Sequence, residues 1–228
     1  MFESCYPDME NIWLEPVVSS YREFFAGVDA QIVIDVGTRD GDDAEYLREN
    51  LGATRVIAID ANPIAVVETR RRYPSFEVYE TAVSDYDGVT SFQQVISEDA
   101  GLAGCSSISA KKIRTEPVFS GKYETIEVQV VKLETLLNSI GLDRGPIDVV
   151  KIDVEGFTYE TLVGMGRCIK NVKVLHLETE TDATHPNHKN NLEVASLMQK
   201  SGFALVDVSY EWGFGIQDQV WVNKRLVI

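Results

Sequence analysis

The chain has 228 residues, of which 44% are hydrophobic and 25% charged, a composition that excludes disorder and the fibrous classes. At this length a single domain buries roughly 70% of the surface its unfolded chain exposes, so one packed core is expected. A formal net charge of -15 argues against a sequence-independent grip on nucleic acid, which needs clustered Lys and Arg to displace counterions.

Residues 1–30 form a predicted helical lead-in, with Pro16 suited to a first turn and Val17, Tyr21, Phe24 and Phe25 at helical spacing. After it "QIVIDVG" reads as a buried strand, "DDAEYLRENLG" as a helix ended by Gly52, and "RVIAIDAN" as a second strand. The helix "PIAVVETRRRY" and a third strand, "FEVYETAVS", continue the alternation. Parallel neighbours need crossover connections, so the fold class is α/β, a parallel sheet with helices on both faces.

Between 85 and 131 two β segments, "YDGVTSFQQV" and "YETIEVQVV", flank a long polar stretch. Loops of that length usually cover a site or move, so residues 86–125 are read as an irregular insertion or lid. Helix "KLETLLNSIGL", strand "IDVVKID", helix "FTYETLVGMGRCI" and strand "VKVLHLETE" then resume the pattern. A helix and two strands close the chain, and the terminal hairpin is expected to add an antiparallel edge. No repeat or linker divides residues 31–228, which are read as one domain.

Cys5, Cys105 and Cys168 lack metal-ligand spacing, and their odd number fits reduced thiols in the cytoplasm. No basic start precedes an apolar run, and no stretch approaches ~18 apolar residues, so no membrane contact is expected. The basic runs "TRRRYP" and "KKIR" are read as solvated faces.

Open parallel sheets bind ligands beyond the carboxyl ends of their strands, near the switch in strand order. That rule selects the turn from Asp35 to Gly41, Asp60, Ser84 with Asp85, Asp153 to Gly156, and the residues from Glu178 onward. Asp60 follows Asp35 by 25 positions, close to the offset at which an acid accepts from both ribose hydroxyls. An equal alternative is that Asp60 caps the helix beginning near Pro63. A dinucleotide fingerprint would need a third glycine where Arg39 and Asp40 stand, and Asp40, Asp42 and Asp43 would repel a pyrophosphate. A sulfonium cofactor with a ribose and no phosphate fits better than NAD.

The stretches "VIDVGTRDGDDAEYL", "VIAIDANP", "ETAVSDYDG", "CSSIS", "VVKIDVEGFTYETLVGM" and "LHLETE" together resemble the FkbM-type methyltransferases, a class I S-adenosylmethionine-dependent group. The resemblance runs from about residue 31 to 223 and is most specific in "KIDVEGFTYETLVG". It implies a Rossmann-like, doubly wound, seven-stranded sheet with an antiparallel last strand, S-adenosylmethionine as cofactor, and methyl transfer, often to a hydroxyl of a sugar or other small molecule. It also implies that Asp35, Gly37 and Thr38, in the turn closed by Gly41, border the methionine end. Asp60 then belongs to the ribose, Ala61 and Ser84 with Asp85 to the adenine region, and Asp153 to the floor near the sulfonium. Thr158 stands where the family pattern carries Glu.

Methyl transfer is an in-line displacement, which rests on holding the acceptor atom ~3 to 3.5 Å from the methyl carbon. A hydroxyl acceptor gains further from a base, for which Asp153, Glu155, Glu178, His185 and His188 are candidates. Glu155 serves equally well as a stabiliser of the next helix, and Lys151 shares a strand face with Asp153, allowing an ion pair. His185, His188 and Asp153 could hold a divalent cation, but their spacing matches no established ligand set, so no metal is assigned. His176 reads as a buried, hydrogen-bonded strand residue. Ser106 and Ser107 are expected to fold over the cofactor, and Trp212 and Phe214 either line the acceptor pocket or pack a hairpin. An NAD-dependent oxidoreductase, and a binding protein that keeps the fold without catalysis, are the alternative readings.

Overall fold

Each buried strand alternates its apolar side chains between two faces, and each face is covered by helices whose apolar stripe meets it. A computed structural model describes residues 14–25, 30–96, 106–108, 122–181, 188–210 and 215–227. In chain order it contains α1 (Leu14–Arg22), β1 (Ile32–Val36), α2 (Asp42–Leu51), β2 (Arg55–Asp60), α3 (Pro63–Arg72), β3 (Glu77–Glu80), β4 (Ala82–Ser84) and β5 (Gly88–Ile96). There follow β6 (Lys122–Lys132), α4 (Leu133–Ser139), β7 (Ile147–Ile152), α5 (Thr158–Gly164), β8 (Val172–Glu180), α6 (Asn191–Lys200), β9 (Phe203–Tyr210) and β10 (Ile216–Asn223).

The main sheet has seven strands in the order β3-β2-β1-β7-β8-β10-β9. All neighbours pair in parallel except β10, which runs antiparallel to both β8 and β9. On one face Ile34, Val150, Leu175 and Trp221 pack against Leu133 of α4, Leu162 of α5 and Met198 of α6. On the other face their immediate neighbours Val33, Val149, Val174 and Val222 meet Val17 of α1 and Leu47 of α2. Strand order reverses at β1, between β2 and β7, and the crevice beyond these three strand ends is where the site forms.

Three local expectations change. The single strand read over "FEVYETAVS" is two, because the backbone steps at Thr81: its N–H donates to the Asp60 carbonyl and its hydroxyl to that of Gln129. β3 therefore ends in the main sheet, while β4 joins β5 and β6 in a small second sheet. The terminal hairpin extends the sheet at this edge with the expected antiparallel pairing, but not in chain order. β10 inserts between β8 and β9 and leaves β9 outermost. The helix read over "FTYETLVGMGRCI" stops at Gly164 and continues as a 3₁₀ turn, Gly166–Asn171, where Gly166 adopts a positive φ of 51°. Cys168 is buried and unpaired, whereas Cys5 and Cys105 lie outside the described residues.

Candidate active site

The turn after β1 is built by two glycines with different duties. Gly37 has φ 85°, and a Cβ there would lie 1.7 Å from the Asp153 carbonyl oxygen, so only glycine lets the ends of β1 and β7 converge. Gly41 precedes α2 with φ 87°, and its Cβ would meet the Tyr73 ring at 2.7 Å. Gly41 thus serves the contact between α2 and the end of α3, and does not line the cleft as expected.

The acids of this turn also face elsewhere than expected. Asp40 and Asp42 pair with Arg72 of α3 at 3.4 and 2.7 Å, so the run "TRRRYP" is not simply a solvated face. Asp43 turns inward to Lys151 at 3.1 Å. Protein cations, not a bound cofactor, answer these carboxylates, because their partners are brought in from α3 and β7.

Asp60 ends β2 at the crevice. Its Oδ2 accepts from the Arg39 N–H (2.9 Å) and its Oδ1 from the Asn62 N–H (2.7 Å). Burial pushes its carboxyl up to about 6, against the pull of those two amides. The helix-cap alternative fails, since Asn62 caps α3 by accepting from the Ile64 N–H. Asn62 also accepts from the Gln94 side chain, which ties β5 to the Asp60 side of the crevice.

Across the crevice Asp153 follows β7. Lys151 Nζ lies 2.9 Å from Asp153 Oδ2 and 3.9 Å from Asp35 Oδ1, the ion pair that same-face spacing allowed. Asp35, Lys151 and His176 are register neighbours on β1, β7 and β8, and His176 Nε2 contacts Asp218 Oδ1 of β10 at 3.1 Å. This is a buried charged row across four strands. Burial pushes Asp35 up to about 6, although Lys151 opposes the shift. Neither Asp35 oxygen nor the buried Thr38 hydroxyl finds a well-formed hydrogen bond among the described residues. His176 is the buried, hydrogen-bonded strand residue it was read to be.

Residues 106–108 lay a lip over the crevice. The Ser106 hydroxyl accepts from the Val95 N–H, and the Ser107 hydroxyl donates to the Glu155 carbonyl at 2.7 Å. The cleft so formed is open to solvent on one side. Gly37, Arg39, Asp60 and Asp153 line it, with an apolar wall of Ala61, Ala82, Phe92 and Ile108.

Of the residues read as cofactor-binding, the structure gathers Gly37, Asp60, Ala61 and Asp153 in the cleft, with Asp35 and Thr38 buried nearby. Ser84 and Asp85 are displaced from it. The step at Thr81 carries Ser84 against α5, where a Cβ on Gly164 would lie 2.0 Å from the Ser84 carbonyl, and Thr81 to Val83 form the wall instead. Glu155 is not in the lining either. It occupies a left-handed turn (φ 41°) ahead of α5, whose first turn carries Glu160. Thr158, in place of the family's Glu, donates to the Glu178 carbonyl and so joins α5 to the end of β8. His188 contacts Glu180 at 3.2 Å beside β8, outside the cleft lining. His185, Trp212 and Phe214 lie outside the described residues. Sequence reading missed Phe92 and Phe157 as lining, whereas Arg39 and Val154 fall within segments it selected but were given no role of their own.

Among the described residues no group of three or more His, Cys, Asp or Glu could hold a metal ion. S-adenosylmethionine fits the cleft on chemical grounds. Each Asp60 oxygen carries one backbone donor and can accept another from a vicinal diol, and the apolar wall suits a nucleobase. A seven-stranded sheet in this order, with an acid at the end of each strand flanking the switch point, defines a class I S-adenosylmethionine-dependent methyltransferase. The family model described as the methyltransferase FkbM domain matches residues 35–205, and the chain belongs to that family. No curated protein matches it.

Among solved structures the chain is similar to the N-methyltransferase NodS from Bradyrhizobium japonicum WM9 in complex with S-adenosylhomocysteine. The TM-score is 0.52 at 11% identity, covering 95% of this chain and 90% of that one. It is also similar to magnesium protoporphyrin IX methyltransferase from Synechocystis PCC 6803 with bound S-adenosylmethionine, at TM-score 0.50 and 10% identity, covering 97% and 87%. At such identities these likenesses speak for the fold alone. Among the described residues no helix is long and apolar enough to cross a membrane.

Proposed function

We propose that this methyltransferase methylates a hydroxyl oxygen of a small molecule or glycan, with the cofactor seated between Asp60 and Asp153. The observation that carries the reading is Asp60, a half-buried carboxylate fixed by two backbone amides and paired with no cation among the described residues. When bound, S-adenosylmethionine supplies an electrophilic methyl group. The protein's part is placement and the handling of one proton. Asp60 accepts from the ribose hydroxyls, while Ala61, Ala82, Phe92 and Ile108 exclude water from the base. Asp153, oriented by Lys151, faces the reacting end and is the one base candidate among the described residues that lines the cleft. It is therefore assigned as the acceptor of the hydroxyl proton. Glu155 then acts through its backbone, holding the lip by accepting from Ser107.

Two measurements test the proposal. Calorimetry should show binding of S-adenosylhomocysteine and no response to NAD, and the reverse would remove the cleft assignment. Transfer of a labelled methyl group into a metabolite extract should then give a product with an ether linkage. A label found only on nitrogen or carbon would overturn the oxygen assignment, and binding without any transfer would favour the non-catalytic reading.

A further inference from the structure

Arg39 holds a conformation that an arginine adopts at a cost. Its φ is +54°, the left-handed region in which glycine is at ease and a Cβ is strained. The same turn uses glycine at 37 and 41, yet keeps a long cationic side chain at the middle position. Strain of this kind persists where the side chain is used, so the question is what uses it.

The fold makes little use of it. The structural duties at this position belong to the backbone: the N–H donates to Asp60, and the carbonyl accepts from the Thr69 hydroxyl at 3.2 Å. Among the described residues the side chain makes one ion pair, Nε to Asp40 Oδ1 at 3.2 Å, and Asp40 already has Arg72. With the Arg39 side chain 39% exposed, such a pair adds little stability. No hydrogen bond joins Nη1 or Nη2 to any described residue, which leaves the fork of the guanidinium unspent.

Its place is what gives it a use. Among the described residues lining the cleft, Arg39 is the one cation, with Asp60 and Asp153 the carboxylates. Lys151, the cation paired with Asp153, is buried and committed to Asp35, Asp43 and Asp153. A ligand carrying a diol, a positive centre and an α-carboxylate meets Asp60 with the first, Asp153 with the second, and has Arg39 left for the third. Arginine presents parallel donors that match a carboxylate in two-point contact.

We propose that Arg39 binds the α-carboxylate of the cofactor's amino-acid end, and that it makes the cleft select a nucleoside bearing an amino acid over the bare nucleoside. The proposal rests on the cleft being the cofactor site. It is tested by calorimetry on the full chain with two probes: S-adenosylhomocysteine, and 5′-methylthioadenosine, which keeps the nucleoside and sulfur but lacks the amino acid.

Arg39→Gly should weaken S-adenosylhomocysteine roughly tenfold to a hundredfold, the range for a charged hydrogen-bonded contact, and leave 5′-methylthioadenosine within about twofold. The same variant should melt at a higher temperature than the parent, since glycine relieves the backbone. Arg39→Lys should fall between, keeping the charge and losing the fork. Equal weakening of both probes, or an unchanged S-adenosylhomocysteine affinity in Arg39→Gly, overturns the proposal. If neither probe binds the parent chain, the cleft reading itself has failed, an outcome separate from these.

Discussion

Two buried carboxylates, at opposite ends of the sheet, are held by the same device and left in different states. Asp148 opens β7 and accepts from the Gln31 and Ile32 N–H groups at 2.9 and 3.0 Å, and Lys173 Nζ closes the arrangement at 2.6 Å. Asp60 closes β2 and accepts from the Arg39 and Asn62 N–H groups, and forms no ion pair among the described residues. The amides set orientation in both cases. What separates a structural carboxylate from a binding one here is the missing counter-charge, which leaves Asp60 with acceptor capacity, while burial raises its affinity for protons.

The largest effect that could break this comparison is on stability at the closed end. Asp148→Ala strands two amides and Lys173, and should cost about 2–3 kcal/mol, lowering the melting temperature by roughly 5–10 °C for a chain of this size. Affinity of the folded fraction for S-adenosylhomocysteine should not change. A normal melt would show that the two ends do not differ as described.

The open end should show the reverse pattern. Asp60→Ala is expected to weaken the cofactor by roughly 1.5–3 kcal/mol in calorimetry, with a smaller change in melting temperature than at Asp148. Full affinity retained in this variant would detach Asp60 from the ribose.

Acidity sharpens the contrast further. Asp35 and Asp60 both carry carboxyls raised to about 6 by burial, so the native chain holds their protons more tightly than the unfolded chain does. Their contribution to stability is therefore full below the ordinary carboxyl range near 3.8 and lost as pH rises through about 6. Cofactor affinity should run the other way, falling as pH drops through 6 and Asp60 loses its acceptor charge. Asp60→Asn should flatten the affinity profile and only reduce the slope of the stability profile, where Asp35 still titrates, and a parallel pair of profiles in the parent would contradict the assignment.

The smallest effect belongs to the helix beside the reacting end. Thr158→Val loses one hydroxyl bond to the Glu178 carbonyl and should cost about 1 kcal/mol in urea unfolding with affinity unchanged.

The strands were legible because paired apolar neighbours such as Val33 and Ile34 feed two faces, and Asp60 and Asp153 were legible because strand ends at a switch point collect ligand groups. Ser84 and Asp85 were misplaced by carrying one register through Thr81, where the apolar pattern is unbroken and only tertiary hydrogen bonds reveal the step. Asp40, Asp42 and Asp43 looked like a site awaiting a cation because Arg72 and Lys151, their partners, are distant in sequence. The position of β10 between β8 and β9 is likewise a choice among pairings that local patterns do not distinguish.

The row Asp35, Lys151 and His176 also bears on how the chain avoids misfolding. Because side chains alternate along a strand, a slip of β7 by one residue past β1 would turn Lys151 to the opposite face, among Ile34, Leu162 and Met165, where no carboxylate waits. An unpaired lysine in that layer would cost several kcal/mol. The valines and isoleucines of these strands would tolerate such a slip nearly as well as the native pairing, so it is the buried charges, the least comfortable residues in the sheet, that make its alignment unambiguous.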